Sequence, residues 1–169
     1  MPVNTLDEEF VDELRDIYDA EKRFVSLLQW MLLQAGDSRL QSLIKTHLRD
    51  SEQQIKNVEK AFGLFKLDLL RIRCNDAAVL IEAGQKRMRE VAGNHVLLDR
   101  EMAGLLAEIE HLEIGIYRRL IGTAEVIGNR ELLDLLRDNL QQEELTAVLI
   151  EEIIRTLPEA APQMLERAA

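Results

Sequence analysis

Sliding this chain against itself by 92 positions superposes the turn Ala35-Gly36-Asp37-Ser38 on Ile127-Gly128-Asn129-Arg130. The same shift lays Leu14, Ile17, Leu28, Leu40, Leu43 and Leu48 on Leu106, Ile109, Leu120, Leu132, Leu135 and Leu140. It also lays Glu21 on Glu113. An amphipathic unit must bury its apolar stripe against another element, and here the other element is a second copy of the same unit.

The unit is a helical hairpin. Thr5 followed by Glu8 forms a capping box. Leu6, Phe10, Leu14, Ile17, Phe24, Leu28 and Met31 then recur at helical spacing to about Gln34. Gly36 is expected to end this helix in the left-handed conformation, and Asp37 or Ser38 to cap the next. That second helix carries Leu40, Leu43, Ile44, Leu48, Ile55, Val58 and Phe62 and stops at Gly63. The second copy runs from about Val96 to Val126, turns at Gly128, restarts from the cap Asn129 and continues through Leu132, Leu136 and Leu149 to Pro158. The hairpins span about residues 5–62 and 96–157, and the long connection between them contains a short amphipathic helix from Asp76 to about Glu90. Fraying is expected after Pro158. The expected fold is all-α: one domain over residues 1–169, a ferritin-like four-helix bundle of two antiparallel hairpins joined by a long crossover.

Charge and hydropathy narrow the function. A net charge of -10 argues against a general nucleic-acid binder, whose phosphate contacts need a basic surface. No window approaches the roughly 20 apolar residues that span a bilayer, and the N-terminus has no signal-peptide pattern. The single cysteine, Cys74, excludes an internal disulfide and reads as a small buried thiol. A cytoplasmic protein with neither nucleic-acid nor membrane partners is expected.

Counting along the hairpins places polar residues at one height. Glu21 lies 15 residues before Gly36 and Asp50 lies 14 after it, and the same count around Gly128 reaches Glu113 and Gln142. His47 and Gln54 share the face of Asp50, Glu110 lies one turn before Glu113, and Asn139, Glu143 and Thr146 lie beside Gln142. A divalent cation is the most economical way to keep such carboxylates together in a core. Dinuclear bundle sites use one Glu from each of two helices and a Glu-x-x-His pair from each of the other two. Glu21 and Glu113 fit the first role. His47 and Asp50 give the second only in reverse order, and the last helix has no histidine.

Asp19-Ala20-Glu21-Lys22, His47-Leu48-Arg49-Asp50 with Gln54, and Glu110-His111-Leu112-Glu113-Ile114 resemble the YciF-type bacterial family, over roughly residues 5–155. Cys74 and the Glu143 region are similar in position. The resemblance implies a stress-associated branch of the ferritin-like superfamily. It departs where Arg49-Asp50-Ser51 replaces the last three residues of a His-Leu-Glu-Glu-Thr motif and where Gln141-Gln142 precedes Glu143-Glu144. Gln142 can bind a cation only through its neutral amide oxygen.

The candidate metal ligands are therefore Glu21, Asp50, Glu110, Glu113 and Glu143, with His47, Gln54 and Gln142 as additional candidates for one or two iron or manganese ions. Each also has a plainer reading. Glu21 can turn to the helix edge and pair with a cation of a neighbouring molecule, Asp50 and His47 can bond each other across one turn, and Glu110 can be a surface residue. His111 lies off the stripe and reads as structural. Two functions follow: a metal protein with redox work on oxygen or peroxide, or a stress-associated structural or interaction bundle with a degenerate site. A homodimer through Trp30, Phe65 and Leu69 is expected, with any other protein partner unknown.

Overall fold

The apolar spacing becomes five helices in the computed structural model, which describes residues 4–159, with side chains described from Glu8 onward. They are α1 (Asn4–Gln34), α2 (Ser38–Leu64), α3 (Asn75–Glu90), α4 (His95–Ile127) and α5 (Arg130–Thr156). Among the described residues there is no strand. The four long helices form a ring of neighbours, α1 on α2, α2 on α5, α5 on α4 and α4 on α1, while α3 packs on α4 and α1. Both copies of the repeat fill the interior: Leu14, Ile17 and Leu28 and their counterparts Leu106, Ile109 and Leu120 are all fully buried. Each such side chain contributes about 1.5–3 kcal/mol through burial. No helix among the described residues is long and apolar enough to cross a membrane.

The two hairpin turns close differently. Gly128 takes the left-handed conformation at φ 74°, its N–H donating to Ala124 O, and Asn129 caps α5. Gly36 does not adopt that conformation. Its turn is held from outside by the buried Asp99 of α4, whose two carboxylate oxygens accept from Gly36 N and Asp37 N at 2.8 Å each. A Cβ there would stand 3.3 Å from Asp99 Oδ2, close enough that the carboxylate would have to give by a few tenths of an ångström. Asp37 then caps α2 by accepting from Arg39 N and Leu40 N.

Other boundaries shift by a residue or more. α2 runs past Gly63 to Leu64, and the left-handed residue beyond it is Lys66, at φ 53°. Asp76 is not the cap of α3 but lies in its first turn, behind the N-cap Cys74, where its charge still complements the helix dipole. Leu149 is 45% exposed rather than core. Of the surface residues expected to meet a second copy, Trp30 and Leu69 are exposed, whereas Phe65 packs edge-on against Phe10. The side chain of Thr5 and the tail from residue 160 lie outside the described residues.

The crossover is tied to α1 through Asp19. This buried carboxylate accepts from Cys74 N at 2.8 Å, from Arg23 Nε at 2.5 Å and from Arg71 Nε. Burial pushes its carboxyl up, but the hydrogen bonds from Arg23, Cys74 and Arg71 outweigh that and hold it below the usual range.

Close helix approach explains Gly84. A Cβ at that position would meet Leu105 Cδ2 at 2.3 Å, Cδ1 at 2.6 Å and Cγ at 2.9 Å, and Leu105 is fully buried. Gly84→Ala gains at most about 1 kcal/mol of helix propensity. Overpacking that displaces most of a core leucine costs about 1–3 kcal/mol. We expect a net loss on the order of 1–2 kcal/mol in urea unfolding; an equally stable variant would show that α3 slides freely over α4.

Candidate metal centre

Along α5 the inward residues are Leu132, Leu136, Asn139, Glu143, Thr146, Ile150 and Ile153, alternating steps of three and four. Along α2 they include Leu40, Leu43, His47, Ser51, Gln54 and Val58. α1 turns Glu21 inward within the run Ile17 to Phe24, and α4 does the same with Glu110, Glu113 and Tyr117. The apolar stripes that fold the bundle thus carry these polar side chains into it.

Four of them converge. His47, Glu110, Glu113 and Glu143 each offer one ligand atom, and these atoms all lie within 4.8 Å of one another. His47 Nδ1 is 3.2 Å from Glu110 Oε1, and Nε2 is 3.9 Å from Glu143 Oε2. Glu21 adjoins them from α1, and Tyr117 Oη donates to its Oε1 at 2.5 Å. All five residues are at most 1% exposed. Both oxygens of Glu110, Glu113 and Glu143, the remaining oxygen of Glu21 and both ring nitrogens of His47 lack a hydrogen-bond partner.

Such a group is costly in the protein alone. Burial first, and then the charge of Glu143, raise the carboxyls of Glu21, Glu110 and Glu113 well above their ordinary range. Burial also raises Glu143, against the opposing influence of the neighbouring Glu110 and Gln54. Burial lowers His47 to about 4, so its imidazole is neutral and free to act as a ligand. Hard carboxylate oxygens with one imidazole suit iron, manganese or zinc. The orphaned oxygens fit such an ion, which would supply the positive charge they lack.

A second layer fixes Glu21. Burial pushes the Tyr117 phenol well above its usual range, keeping it a donor. Asn139 Nδ2 donates to Tyr117 Oη at 2.9 Å and to Gln54 O at 3.2 Å, while its Oδ1 accepts from Asn57 Nδ2 at 2.8 Å. Groups of this kind orient ligands and tune their basicity.

The structure brings Glu110, Glu113 and Glu143 together with His47, and sets Glu21 beside them, within electrostatic reach of Glu143. It leaves Asp50 aside: this side chain is 27% exposed and lies 3.6 Å from Arg49, without a hydrogen bond to His47. The reason is helix phase, because Asp50 sits one residue, or about 100°, from the inward Ser51. Gln142 is likewise one residue from Glu143 and half-buried. Gln54 is buried, with its Oε1 unpartnered. Glu110 and Glu21 are not on the surface, whereas His111 is exposed, its Nδ1 2.6 Å from Ala107 O. Tyr117 was not among the sequence candidates; its place four residues after Glu113 on the same helix face is the signal that points to it.

A family model described as a domain of unknown function, DUF892, matches residues 5–163. Protein YciF of Escherichia coli strain K12 is 25% identical over 154 residues, spanning 90% of this chain and 92% of YciF. Among solved structures, YcfI of Rhodopseudomonas palustris, provisionally assigned as a structural protein, superposes with a TM-score of 0.84 at 26% identity, over 89% of this chain and 96% of that one. The E. coli stress protein YciF gives 0.84 at 24% identity, over 90% and 96%. A protein from Xanthomonas campestris pv. campestris gives 0.71 at 23%, over 90% and 92%. The last two likenesses concern the fold.

Proposed function

The chain belongs to the DUF892 family, and from that premise, which assigns no activity, we propose a ferritin-like four-helix bundle whose mid-bundle carboxylates hold one or two iron or manganese ions in a stress-related redox role. The observation that carries the reading is the set of buried glutamate oxygens without a donor beside a neutral imidazole. In this reading Glu110, Glu113, Glu143 and His47 hold the ion, and Glu21, oriented by Tyr117, completes the set. Iron or manganese bound there would supply one-electron redox chemistry. The protein's own part is to bind, to exclude water and to keep Glu21 in place through the Tyr117 hydroxyl.

A second reading, a structural or interaction bundle with a degenerate site, is favoured by α5. There the repeat partner of His47 is Asn139, so this helix supplies Glu143 alone.

Metal analysis separates the two. Protein stripped with a chelator and reloaded with iron or manganese should retain one or two ions per chain after desalting. Glu21→Ala and Glu113→Ala should retain less than about a tenth of that, since even residues that only orient a ligand change affinity 10–100-fold. Failure to retain iron, manganese or zinc in the unaltered protein would leave the structural reading.

A further inference from the structure

A site enclosed by packed helices needs an entry path. An open groove of about 320 Å³ follows the seam between α2 and α5, lined from α2 by Ser42, Thr46 and His47 and from α5 by Thr146, Leu149 and Glu152. His47 belongs to two places at once. It lines the groove, and its ring nitrogens stand 3.2 Å from Glu110 and 3.9 Å from Glu143. At 1% exposure it closes the groove one side chain short of the carboxylates. Neither ring nitrogen has a hydrogen-bond partner, so no hydrogen bond latches the imidazole in its closed position.

We propose that this groove is the route by which a divalent cation reaches the buried carboxylates, with the His47 ring as its inner gate; the inference rests on the metal reading above. The lining suits that cargo. Hydroxyls of Ser42, Thr46 and Thr146 offer neutral oxygens to an ion shedding water. Arg39, also on the wall, is turned aside by Asp37, whose Oδ2 it meets at 2.8 Å, and by Thr156 Oγ1 at 2.9 Å. With Arg39 and Asp37 neutralising each other, Glu152 gives the mouth a residual negative charge, which attracts cations.

Thr46→Trp tests the route, because Thr46 is exposed, lines the groove and belongs to neither the carboxylate group nor the core. With Co²⁺ as the probe, stopped-flow absorbance on the metal-free full chain should show uptake slowed roughly tenfold or more, at an unchanged end point, as expected when access and not affinity is altered. Ser42→Trp, at a second exposed position one turn away, should act in the same direction. A metal-free arm uses diethyl pyrocarbonate. The chain has three histidines, and His95 and His111 are exposed references. His47 should be modified slowly in the unaltered protein and spared in Thr46→Trp, with both references unaffected. Co²⁺ uptake at an unchanged rate, or unchanged His47 modification, overturns the route. An unaltered protein that takes up no Co²⁺ overturns the cargo together with the metal reading, while the His47 arm still judges the path.

Discussion

Glu113→Met is expected to raise the thermal midpoint of the metal-free protein and to abolish metal retention. Glu113 is fully buried, and neither of its oxygens has a hydrogen-bond donor. Its carboxyl is pushed up by burial and then by the charges of Glu143, Glu21 and Glu110. Methionine has nearly the same length and is unbranched, so it fills the space without a cavity. The substitution removes one orphaned carboxyl and relieves the repulsion on the others. Replacing buried ionic groups by packed apolar ones stabilises by about 1–4 kcal/mol in favourable cases. At roughly 2–4 °C per kcal/mol for a chain of this size, the gain is about 2–16 °C.

The same change should cost at least about a hundredfold in Mn²⁺ affinity, on the scale of losing a ligand rather than a group behind one. Opposite signs in the two measurements identify a residue whose burial is a stability cost kept for function. A fall in the metal-free midpoint, with Mn²⁺ affinity intact, would instead make Glu113 a structural residue. Alanine is a poorer choice for the melt, because its cavity destabilises independently of charge.

The inward phase of the site was legible in the internal repeat but not in the count of heights. Counting residues from Gly36 and Gly128 measures rise along the helix and ignores the 100° turn at each step. It therefore selected Asp50 and Gln142, one residue from the inward Ser51 and Glu143. The 92-residue shift pairs Ser51 with Glu143, His47 with Asn139, Gln54 with Thr146 and Val58 with Ile150, and every one of these residues is buried. Pairing preserves rotation as well as height, because both members hold the same place in one packed unit.

Tertiary partners are what local sequence could not supply. The glycine at the first turn reads as a left-handed cap, yet its partner is Asp99, far along the chain on α4. The crossover gave no hint that Cys74 N would be held by Asp19. Tyr117 reads as ordinary core until Glu21 is seen against it. Helix stripes, by contrast, were clear because burial of Leu14, Ile17, Leu106 and Ile109 follows directly from their spacing.

Stability should fall with rising pH in the metal-free protein and stay nearly level in the metal-loaded protein. Without metal, Glu21, Glu110, Glu113 and Glu143 are raised by burial, so the folded chain keeps protons that unfolded carboxyls, near 4.5, have released. Stability then falls as pH rises, by about 1.4 kcal/mol per pH unit for each proton still held. His47 acts in the other direction, since burial lowers it from 6.5 to about 4 and its contribution is lost as pH falls through that interval. About one unit above 6.5 it is neutral in both states and drops out. Asp37, held at about 2 first by its hydrogen bond from Arg39, and Asp19, also lowered, titrate below the window. In that range melts in chelator should therefore shift downward with rising pH for as long as the raised carboxyls hold protons that the unfolded chain has released. An ion displaces those protons, so the loaded folded chain holds no more of them than the unfolded chain does, and melts at saturating Mn²⁺ should stay nearly level over the same interval. Parallel slopes with and without Mn²⁺ would mean that the ion does not meet these carboxylates, whatever else it binds.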